Sequence, residues 1–192
     1  MKDIVFATNN PHKLQEARAI LAGRFNVLSL SEIGCYDEIP ETSPTIEGNA
    51  LQKARYVREH YSVNCFADDT GLIVDALDGA PGVMTARYAG EHCSASDNMD
   101  KLLAALGHTD RREARFLTCI ALCIDGKEQT FTGVAEGSIA RQGHGEGGFG
   151  YDPIFISAET DLCFAQMSAD DKNRISHRGR ALRLMADSDL LR

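Results

Sequence analysis

An α/β fold is predicted from three features of the sequence. Short apolar runs recur along the chain, segments of helical periodicity separate them, and no internal repeat or low-complexity tract interrupts the alternation. The run "DIVFAT" at 3–8 reads as a buried strand, and 12–23 as a helix with Leu14, Ala17 and Leu21 on one face. A second helix covers 45–61, with Ile46, Ala50, Ala54 and Val57 in register. "CFADD" and "GLIVDAL" read as strands, 96–106 as a helix through Met99, Leu102, Leu103 and Leu106, and 114–124 with 129–140 as a β-pair. The last element, 169–187, is a helix with Ser168 as its N-cap, three residues before Asp171.

A chain of 192 residues is long enough for one well-buried core and short for two, so a single domain over 1–192 is expected. The apolar run in "MKDIVFATNN" has four residues, too short for a signal-peptide core or a membrane span, which predicts a cytoplasmic protein with no membrane partner. Six scattered cysteines without a C-x-x-C pair read as reduced thiols rather than as disulfides or a zinc site. The net charge of −8 argues against a broad nucleic-acid footprint, which needs a basic face. The bases are uneven, however: Lys172, Arg174, His177, Arg178, Arg180 and Arg183 fall within one short stretch, an arrangement suited to a small polyanion.

Four constellations carry chemistry. In "FATNNPHKLQEA" a strand ends at Thr8 and a helix begins near Pro11, with Asn9 and Asn10 in the turn. This is either a plain strand-to-helix turn or a phosphate seat built from outward backbone N–H groups, Thr8, Asn10 and Lys13. "CFADDTGLIVDA" sets Asp68, Asp69 and Thr70 at the end of an apolar run, and adjacent side chains of a strand point to opposite faces. Two buried acids repel by about 4 kcal/mol at 4 Å with an effective dielectric near 20, so either the turn is solvated or a magnesium ion sits there. Glu41, in a proline-flanked loop, is a possible second metal ligand, and Lys53 is either a solvated surface lysine or a phosphate contact. Lys172, His177 and Arg178 form either a solvated basic helix face or, if that helix breaks near Ser176, a set of donors able to read a carbonyl on a base edge. In "GGFGYDPIF", Phe149 offers a plane for base stacking, the glycines allow close backbone approach, and Asp152 can accept base or sugar hydrogens.

Taken in order, "TNNPHK", "ADDTGL", "GAPGV…ARYAG", "GGFGYDPIF" and "ISHRGRAL" resemble the non-canonical purine nucleoside triphosphate pyrophosphatases, also called inosine triphosphate pyrophosphatases. The resemblance implies an elongated two-lobed α/β domain with a long mixed β-sheet flanked by helices, an active-site cleft between lobes, a homodimer and a Mg²⁺ requirement. It implies hydrolysis of inosine, deoxyinosine or xanthosine triphosphate to the monophosphate and pyrophosphate. Carried across, residues Thr8, Asn9, Asn10, Pro11, His12 and Lys13 with Lys53 hold the triphosphate, and Glu41 and Asp69 bind magnesium. Asp69 accepts the proton of the attacking water, Asp68 supports it, and Thr70 touches the substrate. Phe149, Gly150, Tyr151, Asp152, Lys172, His177 and Arg178 form the nucleoside pocket. The chain departs from the family pattern at Gly48, where glutamate is usual and Glu47 lies one place earlier, at Met84 and at Thr70. The alternatives are a related house-cleaning pyrophosphatase for other modified nucleotides and a nucleotide-binding protein without turnover.

Overall fold

The computed structural model describes residues 1–191; Arg192, the last residue of the expected 1–192 domain, lies outside the described residues. In chain order the elements are β1 (Lys2–Phe6), α1 (Pro11–Ile20), β2 (Phe25–Leu28), α2 (Ile46–Tyr61), β3 (Cys65–Val74), β4 (Pro81–Gly82), α3 (Ala95–Leu106), β5 (Glu113–Ile124), β6 (Lys127–Ile139), β7 (Phe155–Ser157), α4 (Ala169–Ile175) and α5 (His177–Ala186). The strands form one mixed sheet in the order β2-β1-β3-β5-β6-β7, with β4 paired to β3.

Three departures from the sequence expectation have local causes. "CFADD" and "GLIVDAL" are one strand, because Thr70 and Gly71 stay extended between them. The helix expected over 169–187 is two, broken where Ser176 turns extended (φ −67°, ψ 154°). Ser168 does cap the first of these, its hydroxyl accepting the Asp171 N–H at 3.1 Å. Strands β2, β4 and β7 have no more than four residues each, too few for an alternating pattern to register.

The chain folds as two compact units. The first comprises residues 1–69, 118–133 and the segment from Arg178. Its sheet is parallel where β1 lies between β2 and β3. Period-two alternation divides its strands cleanly. Ile4 and Phe6 of β1, Phe66 of β3, and Ile120 and Leu122 of β5 pack with Ala17 and Leu21 at α1 and with Ala181, Leu182 and Met185 of α5. Val5, Ala7, Cys65, Ala67, Cys119, Ala121 and Cys123 face the other way and pack on Ala50, Ala54 and Val57 of α2. Small thiols suit that tight contact, and all six cysteines are free.

The second unit comprises residues 70–117 and 134–177. Its core gathers Leu72 and Val74 of β3, Leu102 and Leu106 of α3, Phe116 of β5, Ile139 of β6, and Tyr151, Phe155 and Phe164. The α3 helix is capped by a reciprocal box, with the Ser94 hydroxyl on the Asp97 N–H and the Asp97 carboxylate on the Ser94 N–H. No helix among the described residues is long and apolar enough to cross a membrane.

Candidate active site

In the first unit, the connection from β1 through α1 leads to β2 on one side, and α2 leads to β3 on the other. The C-terminal ends of β1 and β3 are therefore a switch point of a parallel sheet, where such folds take ligands. The pairing Val5↔Cys65 and Phe6↔Phe66, extended two residues, brings Thr8 level with Asp68.

The turn at 8–11 satisfies most of its own amides, contrary to the expectation of an outward-facing backbone seat. Asn10 is the N-cap of α1, and its Oδ1 accepts the N–H groups of His12 (2.9 Å) and Lys13 (3.2 Å). The Thr8 hydroxyl accepts the Asn10 N–H at 3.1 Å. Pro11 at the first helical position has no N–H to offer. Lysine charge rather than free backbone is left to hold an anion here. A surface pocket of about 290 Å³ lies against this turn, lined by Thr8, Asn9, Asn10 and Pro11 together with Ser29, Ser31 and Tyr36.

Alternation along β3 continues past the core and decides the fate of the two aspartates. Asp68 shares the parity of Phe66 and so meets α1 and α5: its Oδ1 accepts Lys13 Nζ at 3.0 Å and its Oδ2 accepts Arg178 Nε at 2.9 Å. It is 1% exposed. Burial pushes its carboxyl up, but Lys13 and Arg178 overcome this and hold it well below the usual carboxylate range. Asp69 shares the parity of Ala67 and meets α2: Asn49 Nδ2 donates to its Oδ2 at 3.3 Å, and Lys53 Nζ lies 4.0 Å from Oδ1. Burial raises its pKa, with Lys53 and Lys13 opposing and Glu41 and Asp68 adding to the rise. The neighbours thus differ: Asp68 is a saturated anion, whereas Asp69 is the more basic of the two carboxylates.

Glu41 is brought to the same place by the loop before α2, where its carboxylate pairs with Lys53 Nζ. Glu41 and Asp69, both facing Lys53 Nζ, are the two carboxylates here that could hold a divalent cation together with phosphate oxygens and water. No cluster of three or more acidic, histidine or cysteine groups suited to a metal occurs among the described residues. Glu47 does not stand in at position 48; its carboxylate accepts the Thr130 hydroxyl at 3.0 Å. At Gly48 a Cβ would lie 1.9 Å from the Ser43 Oγ and 2.8 Å from the Thr45 Oγ1, so any side chain there makes the Ser43 and Thr45 side chains move.

In the second unit, the "GGFGYDP" loop is folded around Asp152. Its Oδ2 accepts the Phe149 N–H at 2.8 Å and Lys172 Nζ at 2.6 Å. Gly148 stands at φ +71° and a Cβ would meet that Oδ2 at 2.1 Å, so only glycine permits the carboxylate to close on the loop. The Lys172 ammonium lies 4.7 Å from the centroid of the half-buried Phe149 ring. Asp152, expected to accept substrate hydrogens, is buried and anchors the loop instead. Tyr151 is likewise buried, with its hydroxyl donating to the Thr85 carbonyl at 2.8 Å. The His177 ring stacks on Phe116 with centroids 4.5 Å apart and planes 19° from parallel. Thr70 continues β3 half-buried, and Gly150 keeps the loop turning at φ +61°.

Arg178 departs most from its expected role. It is 2% exposed, and rather than facing a base its Nε is on Asp68 and its Nη1 on Glu16 Oε2 at 2.5 Å. Sequence reasoning missed Glu16, Asn49, Phe116 and Phe164. Glu16 had one available signal, its place one helical turn after Lys13; Asn49 lies beside Lys53 at the start of a helix without a role assigned to it, Phe116 sits on a strand read only for its apolar pattern, and Phe164 falls between the predicted elements.

Comparison with known proteins finds relatives over nearly the whole chain. The model of the Ham1 family matches residues 4–188. A dITP/XTP pyrophosphatase of Porphyromonas gingivalis is 52% identical over 188 residues, covering 97% of each chain. One of Flavobacterium psychrophilum is 51% identical over 184 residues, covering 96% of this chain and 97% of the relative. Among solved structures, the Ham1 protein of Staphylococcus aureus superposes with a TM-score of 0.86 at 40% identity, covering 96% of each chain. That of Coxiella burnetii gives 0.88 at 36%, covering 97% of each. The chain belongs to the Ham1 family.

Proposed function

We propose that this protein hydrolyses non-canonical purine nucleoside triphosphates, dITP, XTP and ITP, to the monophosphate and pyrophosphate with Mg²⁺. The observation that carries the reading is the divergence of Asp68 and Asp69, one neutralised by Lys13 and Arg178, the other held with raised basicity beside Glu41 and Lys53. The relatives named dITP/XTP pyrophosphatase, similar over nearly their full length, support the same substrate class.

Glu41 and Asp69 would hold the magnesium ion, which when bound neutralises triphosphate charge that an acidic protein could not otherwise accept. Asp69 orients the attacking water at the α-phosphorus and takes its proton, a general-base task worth about 10²–10⁴-fold. Lys13, Lys53 and the Thr8–Asn10 turn, with Pro11 and His12 beginning the helix, seat the phosphates. The two ammonium groups stabilise charge on the departing pyrophosphate.

The second unit supplies the base-holding residues. Phe149 stacks on the purine, and Lys172 and His177 are the donors beside its ring and the neighbouring Phe164. The 6-oxo group of hypoxanthine or xanthine accepts from such donors, whereas the 6-amino group of adenine would present donor to donor. Arg178 stands behind Asp68, with Nε on that carboxylate and Nη1 on Glu16. The same reading includes a homodimer working in the cytoplasm.

Pyrophosphate release from dITP, XTP, ITP, GTP and ATP, side by side with and without Mg²⁺, tests the assignment. The 6-oxo, non-canonical purines should lead and chelation should abolish turnover; equal rates on ATP, or no release from any nucleotide, would overturn it.

A further inference from the structure

We propose that Glu16 is a positioning residue for this hydrolysis, acting through Arg178 and Asp68 to hold the Lys13 ammonium in place. The inference rests on the pyrophosphatase reading above and adds a member to its machinery. Lys13 and Glu16 are three residues apart on α1, so they project from one face of that helix. Between them runs an unbroken chain of charge. Lys13 Nζ donates to Asp68 Oδ1 at 3.0 Å, Asp68 Oδ2 accepts Arg178 Nε at 2.9 Å, and Arg178 Nη1 donates to Glu16 Oε2 at 2.5 Å. The chain therefore begins and ends on α1 and passes through β3 and α5.

Two features make Glu16 more than a surface partner. Its side chain is only 14% exposed, against 45% or more for both members of the pair that Arg18 of the same helix makes with Glu32. The four charges alternate in sign and sum to zero, which a site with an almost fully buried guanidinium and carboxylate requires. The geometry also shows what Glu16 prevents. An arginine beside a single carboxylate prefers the bidentate fork, two parallel N–H donors on two oxygens. Glu16 holds Nη1 while Asp68 Oδ2 holds Nε, so the guanidinium is pinned at two corners in one orientation, and Asp68 keeps Oδ1 for Lys13. Without the Glu16 charge that restraint is lost, and the guanidinium can turn until its Nε and Nη2 fork closes on both oxygens of Asp68 and displaces Lys13. A displaced Lys13 is still a cation near the phosphates, so substrate affinity survives while alignment with the leaving group is lost.

The test compares Glu16→Gln and Glu16→Asp with the wild-type protein, using dITP and saturating Mg²⁺. Glu16→Gln should lower kcat by about 10- to 100-fold, the cost of misplacing an aligned group by about 1 Å, while KM changes less than about threefold. Glu16→Asp, which keeps the carboxylate, should stay within about threefold of wild-type kcat. In an Arg178→Lys background, where no fork exists, adding Glu16→Gln should change kcat by less than about threefold, since residues acting in series do not add. Thermal unfolding of each variant identifies loss of fold, and the near-isosteric Gln variant guards against it. Wild-type kcat in Glu16→Gln, equal losses in Gln and Asp, or a loss carried by KM would each overturn the proposal. An active wild type with an unchanged kcat in Glu16→Gln refutes this inference alone, whereas a wild type that releases no pyrophosphate refutes the functional reading and this inference with it.

Discussion

Asp152→Asn removes one charge and almost no volume, and its cost can be worked from the structure. Asp152 and Lys172 are 3% and 4% exposed, and their 2.6 Å contact is the charge pair of the second unit's loop. Removing one partner of a buried ion pair, rather than both, costs about 3–5 kcal/mol, because the remaining charge stays in a poorly solvating site. For a protein of this length each kcal/mol lowers Tm by about 2–4 °C, so Asp152→Asn should melt about 6–20 °C below wild type. The same carboxylate fixes the Phe149 N–H and the cation over the Phe149 ring, so KM for dITP should rise alongside. Differential scanning calorimetry with initial-rate kinetics measures both. A Tm within about 2 °C of wild type, or lowered stability with unchanged KM, would refute the view that Asp152 anchors the base-holding loop.

The other predictions concern the remaining parts of the site. Asp69→Asn should bind dITP within about twofold of wild type yet lose about 10²–10⁴-fold in kcat; undiminished turnover would remove Asp69 as the base. Phe149→Ala should weaken binding of every base alike by about 1–3 kcal/mol, some 5- to 150-fold in KM, and a changed base preference without weaker binding would count against stacking. Gly48→Ala places a Cβ 1.9 Å from the Ser43 Oγ and so displaces the loop that carries Glu41. The Mg²⁺ concentration for half-maximal activity should then rise on the order of 10-fold, as for loss of a group that orients a metal ligand, and an unchanged requirement would take Glu41 out of the metal site.

What the sequence made legible was governed by short-range periodicity. The period of two along "FADD" is enough to predict that Asp68 and Asp69 part company, and the structure sends them to α1 and α5 on one face and α2 on the other. Ser168 was readable as a cap because its partner lies three residues away. The partners of Asp68 were not readable, because Lys13 and Arg178 are 55 and 110 residues distant and nothing local marks them. The same limit misled the reading of Arg178 and Asp152. Each carries a group that suits substrate chemistry, and each is committed to a long-range contact that only the folded chain reveals. Asn10 erred in the opposite direction: its capping chemistry is local, and by satisfying the His12 and Lys13 amides it removes the backbone seat that the turn suggested.

The central claim is that water, activated at Asp69, attacks the α-phosphorus. Single turnover of dITP in ¹⁸O-labelled water, with both products analysed by mass spectrometry, tests it most directly. The label should appear in the nucleoside monophosphate and be absent from pyrophosphate. Label recovered in pyrophosphate instead would place the attack at the β-phosphorus and contradict the account.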